Sequence, residues 1–386
     1  RMDVESMILN RREFITACGS LTLVGSPLFN ARAAGLSKRN LVIIMLRGGM
    51  DGLTAVQPRD KAMERARPDI LVEEAKKLTS DFNLHPRLET FYECWEEGTA
   101  SVFHATSIPY TGRSHFDGQN LMETGAHVAY SEKTGWLGRG MGAAELQGLA
   151  VSLPMPLLLR GTNDLDNYFP TYMRLPATRD MEMINTSYTP GSELDRTMRR
   201  VLQRPNSMMK RARDDNEAHK LANVAAEELS REDGPRIAVF DLDGFDTHAA
   251  QGGKDGEHGE QLNNYDKVLR VLKDRLGDEF DNTLVLTLTE FGRKFEQNGG
   301  YGTEHGYGTA ILMAGGLVKK AEVHADWPGL KSKDLFEGQD LNATVDARSV
   351  YCAAMATCFD VDFGYMKRHA FWDEPLTDLT EQLFKV

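Results

Sequence analysis

Residues 283–308 read TLVLTLTEFGRKFEQNGGYGTEHGYG, and this stretch decides the fold class. Residues 284–288 form an apolar, β-branched run, which is typical of a strand covered on both faces. Glu290, a glycine-rich loop and then Glu304 with His305 follow. Because ligands of open α/β sheets bind at the carboxyl ends of strands, this order predicts a strand that ends at a functional site. The alternative is a polar, glycine-rich turn between two strands.

The same order of apolar run and polar turn recurs along the chain. It predicts strands at 40–46, 100–104, 236–242 and 309–314, with further apolar strand material at 149–159. Apolar residues at helical intervals predict helices at 88–95, from about 117, at 136–146, 192–228, 260–280 and 346–358, the last one in the chain. Strands that alternate with helices indicate an α/β fold, in which a mostly parallel central sheet is sandwiched between helices.

Composition and charge exclude several classes of protein. The chain has 386 residues, 41% of them hydrophobic, which is enough for one large α/β core. Its net charge of −12 argues against a nucleic-acid partner. After the N-terminal segment, no apolar run reaches the roughly 20 residues that span a bilayer. Cys94, Cys352 and Cys358 lack zinc-like spacing and are expected to be small core residues without a disulfide framework.

The N-terminal segment carries an export pattern. Arg11 and Arg12 precede Phe14, a weakly apolar stretch and the small-residue sequence Ala31-Arg32-Ala33. This order predicts a twin-arginine signal over residues 1–37 and a periplasmic or secreted protein. Residues 38–386 are then expected to form a single domain, with a helical insertion near 161–230.

Acids, histidines and a hydroxyl group follow four of the predicted strands. These residues are Asp51; Ser114, His115 and Asp117; Asp246 and His248; and Glu290, Glu304 and His305. Parallel strands bring their carboxyl ends to one edge of a sheet, so the four groups can converge. Carboxylates and imidazoles in one place favour a cation that neutralises them. Mixed Asp, Glu and His ligands predict a divalent metal, zinc, manganese or iron, better than calcium.

Each of these residues also has a structural interpretation. Asp51 between glycines is typical of a turn. Asp246 and His248 are compatible with an Asx turn that carries a surface histidine. Ser114 is a favoured N-cap for the helix that starts near Asp117. His305 has glycine neighbours in place of the apolar ones that a core histidine needs, and therefore favours a site. The other histidines are expected to be structural, with His104 as the one to reconsider.

Several motifs, taken in order, resemble one known family. These are LRGGMDGL (46–53), SHFDGQNLMETG (114–125), GWLGR (135–139), DGFDTH (243–248), TEFGR (289–293) with GTEHG (302–306), and DWPGL (326–330). They look like the motifs of the bacterial domain-of-unknown-function family fifteen-oh-one, over essentially all of residues 38–386. Members of that family typically carry a twin-arginine signal. The family is grouped with the alkaline-phosphatase-like superfamily of sulfatases, phosphatases and phosphoglycerate mutases.

The resemblance implies a role for particular residues. It implies metal ligands at Asp51, Asp246, His248, Glu290 and His305, which would hold one or two ions. Ser114 would be the nucleophile that attacks a phosphorus or sulfur centre, and Arg113 would steady its equatorial oxygens. The resemblance thus implies an exported hydrolase of a phosphate or sulfate ester, acting on a small ester or on a sulfated or phosphorylated glycan.

Two departures from the superfamily pattern keep an alternative open. Phe291 follows Glu290 where relatives have a histidine, so one ligand of a second metal is missing. The spacing of Asp246 and His248 is also tighter than usual, which leaves Asp243 as a rival ligand. A catalytically reduced envelope protein that binds or assembles with an exported partner is therefore the second hypothesis.

Overall fold

The computed structural model describes residues 38–152, 155–162, 165–168, 177–203 and 217–385. The strands are β1 (Asn40–Leu46), β2 (Val56–Pro58), β3 (Lys76–Lys77), β4 (Phe82–Leu84), β5 (Ala100–Ser107), β6 (Gly148–Ala150), β7 (Leu165–Asn167), β8 (Ile237–Leu242), β9 (Thr283–Leu288), β10 (Thr309–Ala314), β11 (Val323–His324) and β12 (Val345–Asp346). The longer helices span Glu89–Glu96, His115–Thr124, Trp136–Ala144, Thr178–Asn185, Glu193–Gln203, Ala218–Leu229, Glu257–Leu276, Ala347–Phe359 and Phe363–Phe371.

Nine strands form one mixed, mostly parallel sheet. Eight of them lie in the order β11-β5-β10-β9-β1-β8-β6-β7, and β12 pairs with β5. The central strand β1 is parallel to β8 and β9, with Leu41 opposite Ile237 and Leu284. Strand β10 runs antiparallel to both of its neighbours, β5 and β9. The predicted α/β fold with a mostly parallel sheet is confirmed.

Helices cover both faces of this sheet. Alternate residues of β1 enter two separate cores, Leu41 and Ile43 on one side, and Val42 and Ile44 on the other. The first core receives buried residues from four helices, His115–Thr124, Trp136–Ala144, Ala347–Phe359 and Phe363–Phe371. The second receives them from Glu89–Glu96, Ala218–Leu229 and Glu257–Leu276. An apolar run covered on both faces therefore indicated the central strand correctly.

The direction of β10 determines which loops meet. The carboxyl ends of β5, β9, β1 and β8 lie at one edge of the sheet, because these strands are parallel. Since β10 is antiparallel, its first residue, Thr309, lies at that same edge. The loop that carries His305 thus begins after β9 and returns to the edge where β9 ended. Five neighbouring strands deliver their loops to one place.

Several boundaries differ from those predicted. Within the predicted strand material at 149–159, the described residues form the end of the short strand β6 and a 3-10 turn, Leu157–Leu159, and residues 153 and 154 lie outside the described residues. Pro156 has no backbone N–H to donate to a sheet. The predicted helix 192–228 is two helices, Glu193–Gln203 and Ala218–Leu229, with 204–216 outside the described residues.

Other segments were missed. The helix Thr178–Asn185 was not predicted individually, although it lies within the predicted helical insertion near 161–230. The helix Ala347–Phe359 is not the last, because Phe363–Phe371 follows it. The domain boundary at residue 38 stays a prediction, since residues 1–37 lie outside the described residues. In the described ranges no helix is long and apolar enough to cross a membrane.

Candidate metal centre

Three histidines and one aspartate point their ligand atoms at a common position at this sheet edge. The Nε2 atoms of His115, His248 and His305 lie 3.2, 3.1 and 3.1 Å from Asp246 Oδ1. The Nε2 atoms of His248 and His305 are 2.9 Å apart. Four ligands around zinc, at bonds of about 2.0–2.1 Å, would be separated by about 3.3 Å along each edge of a tetrahedron. The three distances to Asp246 Oδ1 and the distance between His248 and His305 are close to that value.

Each histidine is held by its other ring nitrogen. Nδ1 of His115 is 2.9 Å from Glu290 Oε1, Nδ1 of His248 is 3.1 Å from Glu304 Oε2, and Nδ1 of His305 is 2.8 Å from the Arg113 carbonyl oxygen. A carbonyl or an ionised carboxylate oxygen can only accept, so Nδ1 carries the proton in all three rings. When a ring with this tautomer is neutral, its Nε2 has a lone pair, and this is the form of histidine that binds a metal.

The residues present therefore fit a bound divalent cation. Without one, three imidazole lone pairs and a carboxylate oxygen face one another, which is unfavourable unless a proton takes the position. His115 Nε2 is buried and makes no hydrogen bond. Among the described residues, ligand atoms of His115, Asp246 and His305 all lie within 4.8 Å of one another. His248 extends this set through its two short contacts.

Local structure explains why these side chains meet. Ser114 is the N-cap of helix His115–Thr124, its side chain accepting from the Asp117 backbone N–H, and this cap places His115 in the first helical turn. Gly48, with a φ of +117°, lets the loop after β1 pass close to Asp246; a Cβ there would lie 2.4 Å from the Asp246 nitrogen. The backbone N–H of the same glycine donates to Glu290 Oε1 at 2.9 Å.

Glu290 lies behind the metal centre, where it orients a ligand. Its side chain is fully buried, and Oε1 accepts from Gly48, His115 and Gln119. Burial alone would raise its pKa, but the hydrogen bonds from His115 and Gln119 lower it, so the carboxylate is ionised. The bond to Glu290 in turn raises the pKa of His115. Glu290 was predicted as a ligand, and its carboxylate contacts His115 Nδ1, the ring nitrogen of His115 that faces away from Asp246.

Asp246 is the anion at the centre. The guanidinium of Arg293 is fully buried and donates to Asp246 Oδ1 at 2.6 Å. It also donates to the carbonyl oxygens of Gly48, Gly49 and Phe245. Burial would raise the pKa of Asp246, and Arg293 lowers it to about 2. Asp243, the rival ligand in the sequence, is not among the residues that converge here.

Asp51 is buried in a separate ion pair. Its carboxylate accepts from Arg67 at 2.5 Å, Gln251 at 2.7 Å and the Thr54 hydroxyl at 2.8 Å, and from the Leu53 backbone N–H at 3.2 Å. These four donors use the positions that a metal would need. Burial would raise the pKa of Asp51, but Arg67 lowers it to about 2. The structure does not bring this predicted ligand to the three histidines.

The two proposed reaction residues have different surroundings. The Arg113 guanidinium pairs with Asp340 at 2.5 Å and Glu337 at 2.7 Å, and its carbonyl, with the backbone at a φ of +55°, holds His305. Its side chain is thus already bound by two carboxylates. Ser114 is half-buried, directly between Arg113 and the ligand His115.

Phe291 and His104 are buried beside the candidate centre and in the core, respectively. The Phe291 ring is buried against His115 and His305, with ring centroids 4.9 and 5.0 Å apart. It stands at the sequence position where the superfamily pattern has a histidine. His104 is fully buried, with Nε2 2.9 Å from the Val56 carbonyl oxygen. Cys94, Cys352 and Cys358 are buried free thiols, as predicted.

His115 is the candidate ligand that sequence reasoning missed. It was placed in the cluster with Ser114, but it was not named as a ligand. The signal that could have identified it is the N-cap itself: a serine at the cap fixes the next residue in the first helical turn. That turn starts at the edge where the other ligands lie.

The chain belongs to the family described as Protein of unknown function (DUF1501), whose model matches residues 98–359. This confirms the family resemblance seen in the motifs. A comparison with curated proteins finds no match.

Solved structures of the alkaline phosphatase superfamily have a similar fold. A Vibrio parahaemolyticus member is 12% identical, covering 88% of this chain and 70% of its own, with a TM-score of 0.41. The zinc complex of the C-terminal periplasmic domain of Escherichia coli EptC is 12% identical, covering 73% and 74%, at 0.37. Murine ectonucleotide pyrophosphatase/phosphodiesterase 5, as an inactive variant with AMP, is 10% identical, covering 89% and 100%, at 0.41. Likenesses at these TM-scores carry no functional conclusion.

Proposed function

We propose that this protein is a metal-dependent hydrolase of a phosphate or sulfate ester, with the metal held by His115, Asp246, His248 and His305. One observation carries the proposal: all three imidazoles are fixed through Nδ1, so that their Nε2 lone pairs converge on one carboxylate oxygen. Imidazole and carboxylate ligands suit zinc, manganese or iron. The exposed fraction of Asp246, 43%, leaves the centre open to a substrate.

Ser114 is the proposed nucleophile. A divalent metal, when bound, acts as a Lewis acid and lowers the pKa of a nearby hydroxyl group or water. Ser114 lies directly before the ligand His115, at the N-terminus of a ten-residue helix, where backbone N–H groups favour an anionic ester. Its oxygen would form a bond to the phosphorus or sulfur centre as the bond to the ester oxygen breaks, and the Ser114 proton would leave with that oxygen as the alcohol. Water would then attack the same centre, break its bond to the Ser114 oxygen, restore the hydroxyl and release the acid.

The two arginines near the centre, Arg293 and Arg113, form ion pairs with carboxylates of the protein. Arg293 neutralises Asp246 from a fully buried position, and Arg113 is bound by Asp340 and Glu337. Neither guanidinium is offered freely to a substrate, so the proposal assigns the ester's negative charge to the metal and the helix N-terminus. Arg113 acts in this proposal through its carbonyl, which orients His305.

Metal analysis is the first test. The protein, folded in the cytoplasm and purified without chelator, is expected to contain about one zinc, manganese or iron per chain by mass spectrometry. His115→Ala and Asp246→Asn are expected to lose the metal and the turnover of nitrophenyl phosphate or nitrophenyl sulfate. A metal-free wild type to which none of the three ions binds would refute the proposal.

The role of Ser114 needs variants that keep the helix cap. Ser114→Asn retains a capping oxygen without a hydroxyl, whereas Ser114→Thr retains both. We expect the asparagine variant to bind metal normally and to lose turnover by about 100-fold or more, and the threonine variant to keep part of it. Equal turnover in the asparagine variant and the wild type would assign the attack to water.

The ion pairs of Arg113 with Glu337 and Asp340, and the position of Phe291, favour a second function. With both guanidinium groups bound to protein carboxylates and Phe291 buried beside two ligands, the same centre suits a catalytically reduced envelope protein that binds or assembles with an exported partner. Wild-type protein that binds metal but turns over neither ester, together with an unchanged cellular phenotype of a Ser114→Ala, His305→Ala double variant, would support this function.

We also propose export by the twin-arginine pathway, to the periplasm or beyond. The motif at Arg11 and Arg12 supports this proposal, and it lies outside the described residues. Cell fractionation tests it: Arg11→Lys with Arg12→Lys is expected to leave the protein in the cytoplasm. Unchanged export of that variant would overturn it.

A further inference from the structure

Gln251 lies between the two loops that carry the metal ligands after β8 and before β10. Its side chain is fully buried. Its backbone N–H donates to the Tyr301 carbonyl at 3.0 Å, and nearby the Thr303 N–H donates to the Thr247 carbonyl at 3.1 Å. The loop at 247–251 and the loop at 300–303 are therefore paired along their backbones, with the Gln251 amide between them.

The amide of Gln251 makes every hydrogen bond available to it. Its Oε1 accepts from the hydroxyls of Thr247 at 3.0 Å and Thr303 at 2.7 Å. Its Nε2 donates to Asp51 Oδ2 at 2.7 Å and to the Thr54 hydroxyl at 3.2 Å. Two acceptor and two donor positions are the full capacity of a glutamine side chain. A buried group satisfied in this way has one orientation.

The two threonines are placed next to metal ligands. Thr247 lies between Asp246 and His248 in the chain, and Thr303 lies two residues before His305. Each threonine is also fully buried. A change in either hydroxyl bond therefore moves a loop whose neighbouring side chains form the centre.

The negative charge of Asp51 determines which way the Gln251 amide is oriented. An ionised carboxylate only accepts, so Nε2 of Gln251 must face Asp51 and Oε1 must face the threonines. Arg67 neutralises Asp51 from a fully buried position at 2.5 Å, which keeps the carboxylate charged. The order of contacts is thus Arg67, Asp51, Gln251, and then one threonine in each ligand loop.

We infer that Gln251 is a positioning residue that fixes the two ligand loops relative to each other, and that Asp51 is its anchor. The inference rests on the proposed metal centre and extends it. It assigns to Asp51, a ligand in the sequence-based hypothesis, the task of orienting the ligand loops from behind.

Matched threonine variants test the inference. Thr247→Val and Thr303→Val keep the shape of the side chain and remove its hydroxyl, whereas Thr247→Ser and Thr303→Ser keep the hydroxyl. The zinc affinity of each folded protein is measured by competition with a chelator. The valine variants are expected to bind zinc about tenfold more weakly, the low end of the loss that follows from removing an outer-shell partner, and the serine variants within about threefold of wild type.

Two further readouts separate positioning from loss of stability. The visible absorption of the cobalt-substituted protein reports the ligand geometry and is expected to change in the valine variants only. Thermal unfolding without metal reports stability, and a merely structural role would lower the unfolding temperature of the valine variants while their zinc affinity and cobalt spectrum stayed at wild-type values. Should one valine variant fail to fold, the other tests the same Gln251 oxygen.

The outcomes distinguish this inference from the proposed function. A wild type that binds zinc, with valine and serine variants of equal affinity, overturns the role of Gln251 and leaves the metal centre intact. A wild type that binds no zinc, manganese or iron overturns both.

Discussion

Replacing Glu290 with glutamine tests whether a buried carboxylate controls a metal ligand. Glu290 is fully buried and accepts from His115, Gly48 and Gln119 through one oxygen. Glutamine keeps the shape but removes the charge that holds His115 in its metal-binding tautomer. Loss of such a partner costs about 10- to 100-fold in metal affinity. This corresponds to about 1.4–2.7 kcal/mol of binding free energy.

Glu304 provides the matched control, because it makes the same contact to another ligand in a wetter place. Its Oε2 is 3.1 Å from His248 Nδ1, and half of its side chain is exposed. Water screens and replaces an exposed partner, so Glu304→Gln is expected to weaken zinc binding by less than about threefold, in line with surface ion pairs. Zinc affinities are measured by competition with a chelator at constant pH. An effect of Glu304→Gln equal to or larger than that of Glu290→Gln would refute the reasoning.

Three more predictions concern the loops that support the centre. Asp51→Asn leaves the buried Arg67 guanidinium unpaired and is expected to lower the free energy of unfolding by about 3–5 kcal/mol in urea titrations; a loss below 1 kcal/mol would contradict this. Folding lowers the pKa of Asp51 from 3.8 to about 2, so its ionised form contributes about 2 kcal/mol to stability above pH 3.8, and this contribution is lost as the pH falls through about 2. The free energy of unfolding should therefore fall less over this pH range in the Asp51→Asn variant than in the wild type. Gly48→Ala places a Cβ 2.4 Å from the Asp246 nitrogen at a φ of +117° and is expected to weaken metal binding. Gly98→Ala is the control, because Gly98 has a φ of +77° and a Cβ there has nothing within 4 Å, so this variant has the backbone strain without the contact. Equal zinc affinities of the two variants would show that the close approach of Gly48 to Asp246 does not matter for binding.

The sheet could be predicted where burial alone decides the structure. Strands β1 and β10 begin and end at the predicted residues, because an apolar run covered on both faces stops at the first glycine or charged group. The direction of β10 could not be predicted, since a buried run reads the same in a parallel and an antiparallel strand. Helix Thr178–Asn185 was missed because its apolar residues are few and Met183 is exposed.

The sequence predicted which residues cluster at the site, but not which of them contact Asp246 and which hold those residues from behind. Asp246, His248 and His305 were correctly grouped, because they follow or precede central strands. Sequence could not show that His115, and not its neighbour Ser114, contacts Asp246, nor that Glu290 lies behind His115. That distinction depends on which ring nitrogen faces which oxygen. Asp51 was misplaced because its partner Arg67 lies in a helix-to-loop segment that carries no motif.

Because β10 is antiparallel to β9, the segment between these strands should tolerate cleavage of the chain. Both ends of this segment are anchored at the same edge, Glu290 beside the end of β9 and His305 shortly before β10 begins. Its tip, Gly299 and Gly300, is exposed. If a protease cut the chain there, each fragment would keep its own strand in the sheet. Glu290 would lie on one fragment, with β9, and His305 on the other, with β10. The nicked protein is expected to migrate as two fragments in denaturing gels and, if the proposed metal centre is correct, to bind zinc as the intact protein does.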